Sequence, residues 1–197
     1  MAISAEKVKD LREKTGAGMM ECKRALEAAG GDENKALLIL REKGLAQATE
    51  KGARQTVEGV VTSYIHGDGR IGVLLELACE TDFVARTQEF RRLAAELAMQ
   101  VAAMSPLVVR PENLSQEVVQ TERELYLRQS GDKPENVRER IVSGKLETFY
   151  EQVCLLRQPY IRDGSRRVED IIKEAIARLG ENIEVRRFVR MELGRAS

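Results

Sequence analysis

The sequence is short of almost everything that covalent or metal chemistry uses. It contains one histidine, His66, three cysteines and no tryptophan. Cys22, Cys79 and Cys154 are odd in number, far apart and without a C-x-x-C spacing, so neither a disulfide framework nor a zinc knuckle is indicated. Each reads as a small core residue. His66 reads as a structural residue, buried or beside a turn. A nucleophile and base would have to be Cys79 and His66, the one pair available. His66 lies at the turn of a predicted hairpin and Cys79 at the far end of its second strand, roughly 30 Å away. The sequence therefore predicts no covalent catalysis, no metal and no cofactor.

Charge of one sign is absent too. Lys plus Arg and Asp plus Glu each total 32 among 197 residues, which leaves no global basic field for nucleic acid or an anionic membrane. Arg86, Arg91, Arg92, Arg138, Arg140, Arg166 and Arg167 are interleaved with acids and read as solvated faces. No apolar run approaches the roughly 20 residues that span a bilayer. The opening MAISAEKVKDLREKTG is a polar amphipathic helix rather than a basic segment followed by an apolar core. With 43% hydrophobic and 32% charged residues, a soluble, cytoplasmic, globular chain of one to two domains is expected. Its partners must be recognised by shape and local charge.

What is present divides the chain into a helical start and a mixed remainder. Ser4 can cap a first helix carrying Val8 and Leu11, and a second carries Met19, Cys22 and Leu26. Gly30 and Gly31 stop it, Asp32 can cap a third helix with Ala36, Leu37 and Leu40, and Gly44 is expected to end that one. Residues 1–45 thus read as a three-helix module and AQATEKGARQT, 46–56, as a linker or solvated helical extension. Period-two patterning then begins in a domain over 57–197. VEGVVTSYIH and RIGVLLELAC form a hairpin around Gly67, Asp68 and Gly69, with Ile71, Val73, Leu75, Leu77 and Cys79 on one face. A helix over about 87–103 follows, then three helical patterns (118–126, 137–141 and 146–153) and a short strand and loop in VCLLRQPYIRD. VEDIIKEAIARLG is the clearest helix. In the closing strand NIEVRRFVRMEL, Ile183, Val185, Val189, Met191 and Leu193 share a side, with Phe188 on the otherwise polar one. The expected class is α+β, an antiparallel sheet with helices packed on it.

Two stretches stand out. On a helix, neighbouring residues point about 100° apart, so Met19 and Met20 cannot both face a bundle centre. An exposed methionine suits an adaptable binding surface, and partial burial at the bundle edge is the plainer reading. In ETDFVAR, residues 80–86, Thr81 or Asp82 can cap the following helix, with Phe83 as a hydrophobic staple. Alternatively the strand end presents an acid and an aromatic as a protruding wedge. The residues alone leave both readings open. The glycines of TGAGMMECKRAL do not make a phosphate loop, because no Gly-Lys-Ser/Thr follows and no strand precedes.

TGAGMMECKRAL, HGDGRIGVLLELACETDFVAR and IARLGENIEVRRFVRMELG, in that order and spanning nearly the whole chain, resemble the translation elongation factor Ts family in its short form. The resemblance implies a guanine-nucleotide exchange factor for elongation factor Tu, with an N-terminal module similar to a ubiquitin-associated domain. Met19 and Met20 would lie on the docking surface of that module. Thr81, Asp82, Phe83 and Val84 would form the segment that intrudes on the partner and displaces its magnesium. It also implies a homodimer, with the last strand and Phe188 as the first candidate seam. An alternative class is a non-catalytic adaptor built on the same helical module.

Overall fold

The computed structural model describes residues 3–195, so the first two residues of the expected 1–45 segment and the last two of the expected 57–197 segment lie outside it. Among the described residues the order is α1 (Ala5–Thr15), α2 (Met19–Ala28), α3 (Glu33–Lys51), β1 (Glu58–His66), β2 (Ile71–Cys79), α4 (Asp82–Ala85), α5 (Gln88–Met104), α6 (Gln116–Gln129), α7 (Glu135–Val153), β3 (Pro159–Tyr160), β4 (Asp163–Arg167), α8 (Val168–Leu179) and β5 (Ile183–Glu192). This is the expected α+β class. No helix among the described residues is long and apolar enough to cross a membrane.

The chain divides into two compact units that do not follow chain order. One takes residues up to Val60, Ala78–Arg91 and Asp170–Glu184; the other takes Val61–Leu77, Arg92–Glu169 and Val185 onward.

The first unit begins with three helices, the first and third capped as their sequence dictates. The Ser4 hydroxyl accepts from the Lys7 amide and the Asp32 carboxylate from the Lys35 amide, satisfying first-turn donors that the helix cannot. Val8, Leu11, Cys22, Ala25, Leu26 and Ala36 form their core. α3 does not end at Gly44 as expected but runs on to Lys51. A Cβ at Gly44 would stand 3.0 Å from the Ala177 Cβ of α8. The glycine therefore permits a close helix approach rather than a stop.

In the second unit, α7 continues through Gly144, joining two of the three expected helical patterns into one helix. An interior glycine costs only about 1 kcal/mol relative to alanine, too little to break a helix anchored on both sides. Arg123 pairs with Glu139 at 2.8 Å, and the Lys145 ammonium lies over the Tyr126 ring, tying α6 to α7. β3 and β4 form a small antiparallel hairpin, with Pro159 opposite Arg167 and Tyr160 opposite Asp163. Only the first of these strands was legible in the sequence. Gln100 and Gln158, both fully buried, answer each other and nearby backbone: Gln100 Nε2 donates to Gln158 Oε1 and Pro159 O, and Gln158 Nε2 to Met104 O and Gln152 O. Buried amides satisfied in this way specify one packing arrangement.

The main sheet has the order β1-β2-β5. Gly67, Asp68 and Gly69 take the positive φ values their tight turn needs. β5 runs antiparallel to β2: the Asn182 amide donates to the Glu80 side chain beyond one end of β2, and the Leu193 amide to Arg70 O at the other. Val73, Leu75, Leu77 and Cys79 are buried as expected. β5 departs from strict alternation. Ile183 and Val185 are buried, Arg186 and Arg187 both exposed, and Phe188, Arg190 and Glu192 half-buried, so the burial phase slips by one residue. Arg190 turns inward to donate to Ala102 O of α5, leaving Val189 and Met191 exposed on the opposite side.

Candidate functional site

β2 delivers the chain to Glu80, after which a single helical turn forms because Thr81 caps it. Thr81 is extended, φ −128° and ψ 154°, and its hydroxyl accepts from the Val84 amide. Four residues at 100° spacing cannot all face inward. Val84 and Ala85 do, each 5% exposed, while Phe83 stands 78% exposed. Asp82 is exposed as well and pairs with Arg86 at 2.8 Å. Beyond them Thr87 turns the chain into α5: its hydroxyl accepts from the Phe90 amide and donates to Val84 O.

The cap reading is therefore correct for Thr81, and the staple reading fails for Phe83, whose ring does not pack on the helix that follows. Thr81, Asp82, Phe83 and Val84 lie on one continuous turn but divide into two kinds. Thr81 and Val84 hold the turn, whereas Asp82 and Phe83 face solvent. Thr81 carried a cap signal that it shared with Asp82, and Val84 carried none that separated it from its neighbours.

Met19 and Met20 lie on a separate element, in the first turn of α2. One was expected outside the bundle; both are, at 45% and 57% exposure. Gly18 gives α2 no side-chain cap, and its core contacts begin only at Cys22. The first turn thus leaves both methionines at the surface of the module.

His66 is exposed at the hairpin, its ring stacked on Tyr64 with Tyr64 Oη 3.1 Å from Nδ1. Cys79 is buried, and burial, with the nearby Glu181 carboxylate, pushes its thiol up to about 11. It remains protonated at neutral pH and donates to Thr81 O, so no thiolate is available for attack. A cavity of about 510 Å³ lies between α3 and α8 of the first unit, lined by Leu37, Leu40, Leu45, Arg41 and Ala177 among others. No residue of the ETDFVAR turn lines it. The observed features present an acid and an aromatic side by side on a fixed turn, and two exposed methionines on a separate helix.

Residues 40–195 match the model of the family described as elongation factor TS. The chain is 58% identical to elongation factor Ts of Thermodesulfovibrio yellowstonii over 195 residues, covering 98% of both chains. It is 57% identical to elongation factor Ts of Thermotoga maritima, again over 98% of both. To elongation factor Ts of Carboxydothermus hydrogenoformans it is 56% identical, over 98% of this chain and 89% of that relative. The chain belongs to the elongation factor Ts family and so takes part in translation elongation.

Proposed function

We propose that this chain promotes GDP release from elongation factor Tu, with Asp82 and Phe83 as a wedge that disturbs the nucleotide site and displaces its magnesium. The observation that carries this reading is a phenylalanine 78% exposed on a turn whose next two residues are 5% exposed. An aromatic held in water on so fixed a turn gains free energy when a partner covers it, as a binding hot spot does. Burying it contributes about 1.5–3 kcal/mol, one to two decades in an equilibrium. Larger acceleration comes from charge-assisted bonds broken on the partner, each about 1.5–3 kcal/mol. Exchange further requires that the factor bind the nucleotide-free partner more tightly than the GDP-bound one, and linkage makes that preference reciprocal. No covalent step is involved. Thr81 and Val84 belong to the same segment as its cap and anchor. Met19 and Met20, on the helical module over 1–45, supply docking surface.

Release of fluorescent GDP from elongation factor Tu tests this. Phe83→Ala should lower the acceleration by about tenfold or more with little change in melting temperature, since its ring touches so little of its own chain. Unchanged acceleration by Phe83→Ala would reject the wedge. No acceleration by the unsubstituted chain would favour the non-catalytic adaptor.

We also propose a homodimer through the outer face of the main sheet. Gly72 directs its side toward Ile65 Cδ1, and Arg187 meets Glu76 at 2.7 Å, which fixes one face shared by all three strands. Val61, Ile65, Leu74, Val189 and Met191 are exposed there. Phe188, the expected seam residue, is half-buried on the other side. An apolar face on which an acid and a base pair suits a second copy of itself, and a chain of zero formal charge does not repel its twin.

A further inference from the structure

The turn that presents Phe83 is gripped by an acid from 100 residues further along the chain. Glu181 follows α8 in the short connection to β5. One of its carboxylate oxygens, Oε2, accepts from the Glu80 amide at 3.1 Å and the Thr81 amide at 3.0 Å; Oε1 accepts from the Thr81 hydroxyl at 2.5 Å. The grip is mutual. Glu80 Oε1 accepts from the Asn182 amide at 2.6 Å and lies 3.5 Å from Arg54 Nη1, while Asn182, itself buried, donates through Nδ2 to Arg54 O and Gly52 O. Each turn's acid thereby satisfies the other's backbone, and the α3–β1 connection is tied to both.

The consequence for Phe83 lies in the Thr81 hydroxyl. That group has one proton to donate. With the proton committed to Glu181, its lone pairs are directed away and one receives the Val84 amide. A hydroxyl that donates to a carboxylate is also a stronger acceptor. Glu181 therefore fixes the cap that starts the single turn of α4, and with it the direction in which Phe83 leaves the surface. We infer that Glu181 is a positioning residue for nucleotide exchange, acting through Thr81 on Phe83 without touching the partner. This rests on the reading of the Thr81–Val84 turn as the wedge.

The test is a double-mutant cycle in the full chain, with release of fluorescent GDP from elongation factor Tu measured at increasing factor concentration. Glu181→Ala and the near-isosteric Glu181→Gln should each lower the maximal release rate, roughly tenfold for Glu181→Ala and less for Glu181→Gln. The concentration giving half-maximal rate should hold, because docking through Met19 and Met20 is untouched. Added to Phe83→Ala, either substitution should cost nothing further, since the group it positions is gone. A purely structural role would instead lower the folded fraction and add to the Phe83→Ala loss. Should Glu181→Ala fail to fold, Glu181→Gln carries the test. Full maximal rate in Glu181→Gln, or additivity with Phe83→Ala, overturns the proposal while leaving the wedge intact. Full rate in Phe83→Ala removes the wedge and this inference together.

Discussion

Glu96 of α5 sits among a phenol and two guanidinium groups. It accepts from Tyr160 Oη at 2.8 Å and pairs with Arg92 at 3.0 Å and Arg162 at 3.7 Å. Burial opposes its charge, but the Tyr160 hydrogen bond and the two arginines together outweigh it and hold the carboxyl below its ordinary value. Burial, and then the bond to Glu96, push Tyr160 up to about 12. The signs oppose each other. Glu96 takes up a proton less readily folded than unfolded, so its contribution is complete above its unfolded pKa of about 4.3 and disappears as pH falls through its lower folded value. Tyr160 stays neutral in the fold where the unfolded chain ionises, so its contribution is complete below about pH 10 and is lost as pH approaches about 12. Urea unfolding at neutral pH and near pH 4 should show stability falling toward acid, with a shallower fall in Glu96→Gln; parallel falls would contradict the assignment. None of this was visible in the sequence, where 64 positions separate the partners. Phe83 differs: its oddity was legible, but the sequence could not choose between staple and wedge, because propensity fixes where a turn starts and not which of its residues the rest of the chain covers.

At the scale of elements, the two mid-helix glycines act oppositely. Gly44 has the Ala177 Cβ at 3.0 Å from where its own Cβ would be, while a Cβ at Gly144 meets nothing within 4 Å. Gly44→Leu should therefore destabilise by about 1–3 kcal/mol through overpacking, and Gly144→Ala should stabilise by up to about 1 kcal/mol. Thermal melts of the two variants check both signs, and a stabilised Gly44→Leu would refute the close approach. Where a helix had its own apolar stripe, as in α1, α2 and α8, the sequence located it well. It failed where a neighbour decides the outcome. Gly44 looks like a terminator until α8 lies against it, and β4, DGSRR, has no apolar alternation and is a strand only because β3 pairs with it.

On the scale of the whole molecule, the alternation in β5 identified a strand without revealing where its cover stops. Val185 and Val189 share a parity, yet one is buried and the other exposed, because the phase slips at Arg186 and Arg187. The apolar face left outside is the surface proposed for the second copy. Light scattering across a dilution series should show a dimer at high concentration, and Leu74→Glu should shift it to monomer; monomer throughout would sink the proposal. The Arg187–Glu76 pair on that face makes association less apolar than a core and dependent on salt. The mutual grip between Glu80 and Glu181 has a consequence in time. The contact closes a loop of about 100 residues, and closing so long a loop is entropically costly and late in folding. During its own synthesis the chain emits Phe83 long before Glu181, so the turn can settle into its final shape only after the ribosome has passed residue 182.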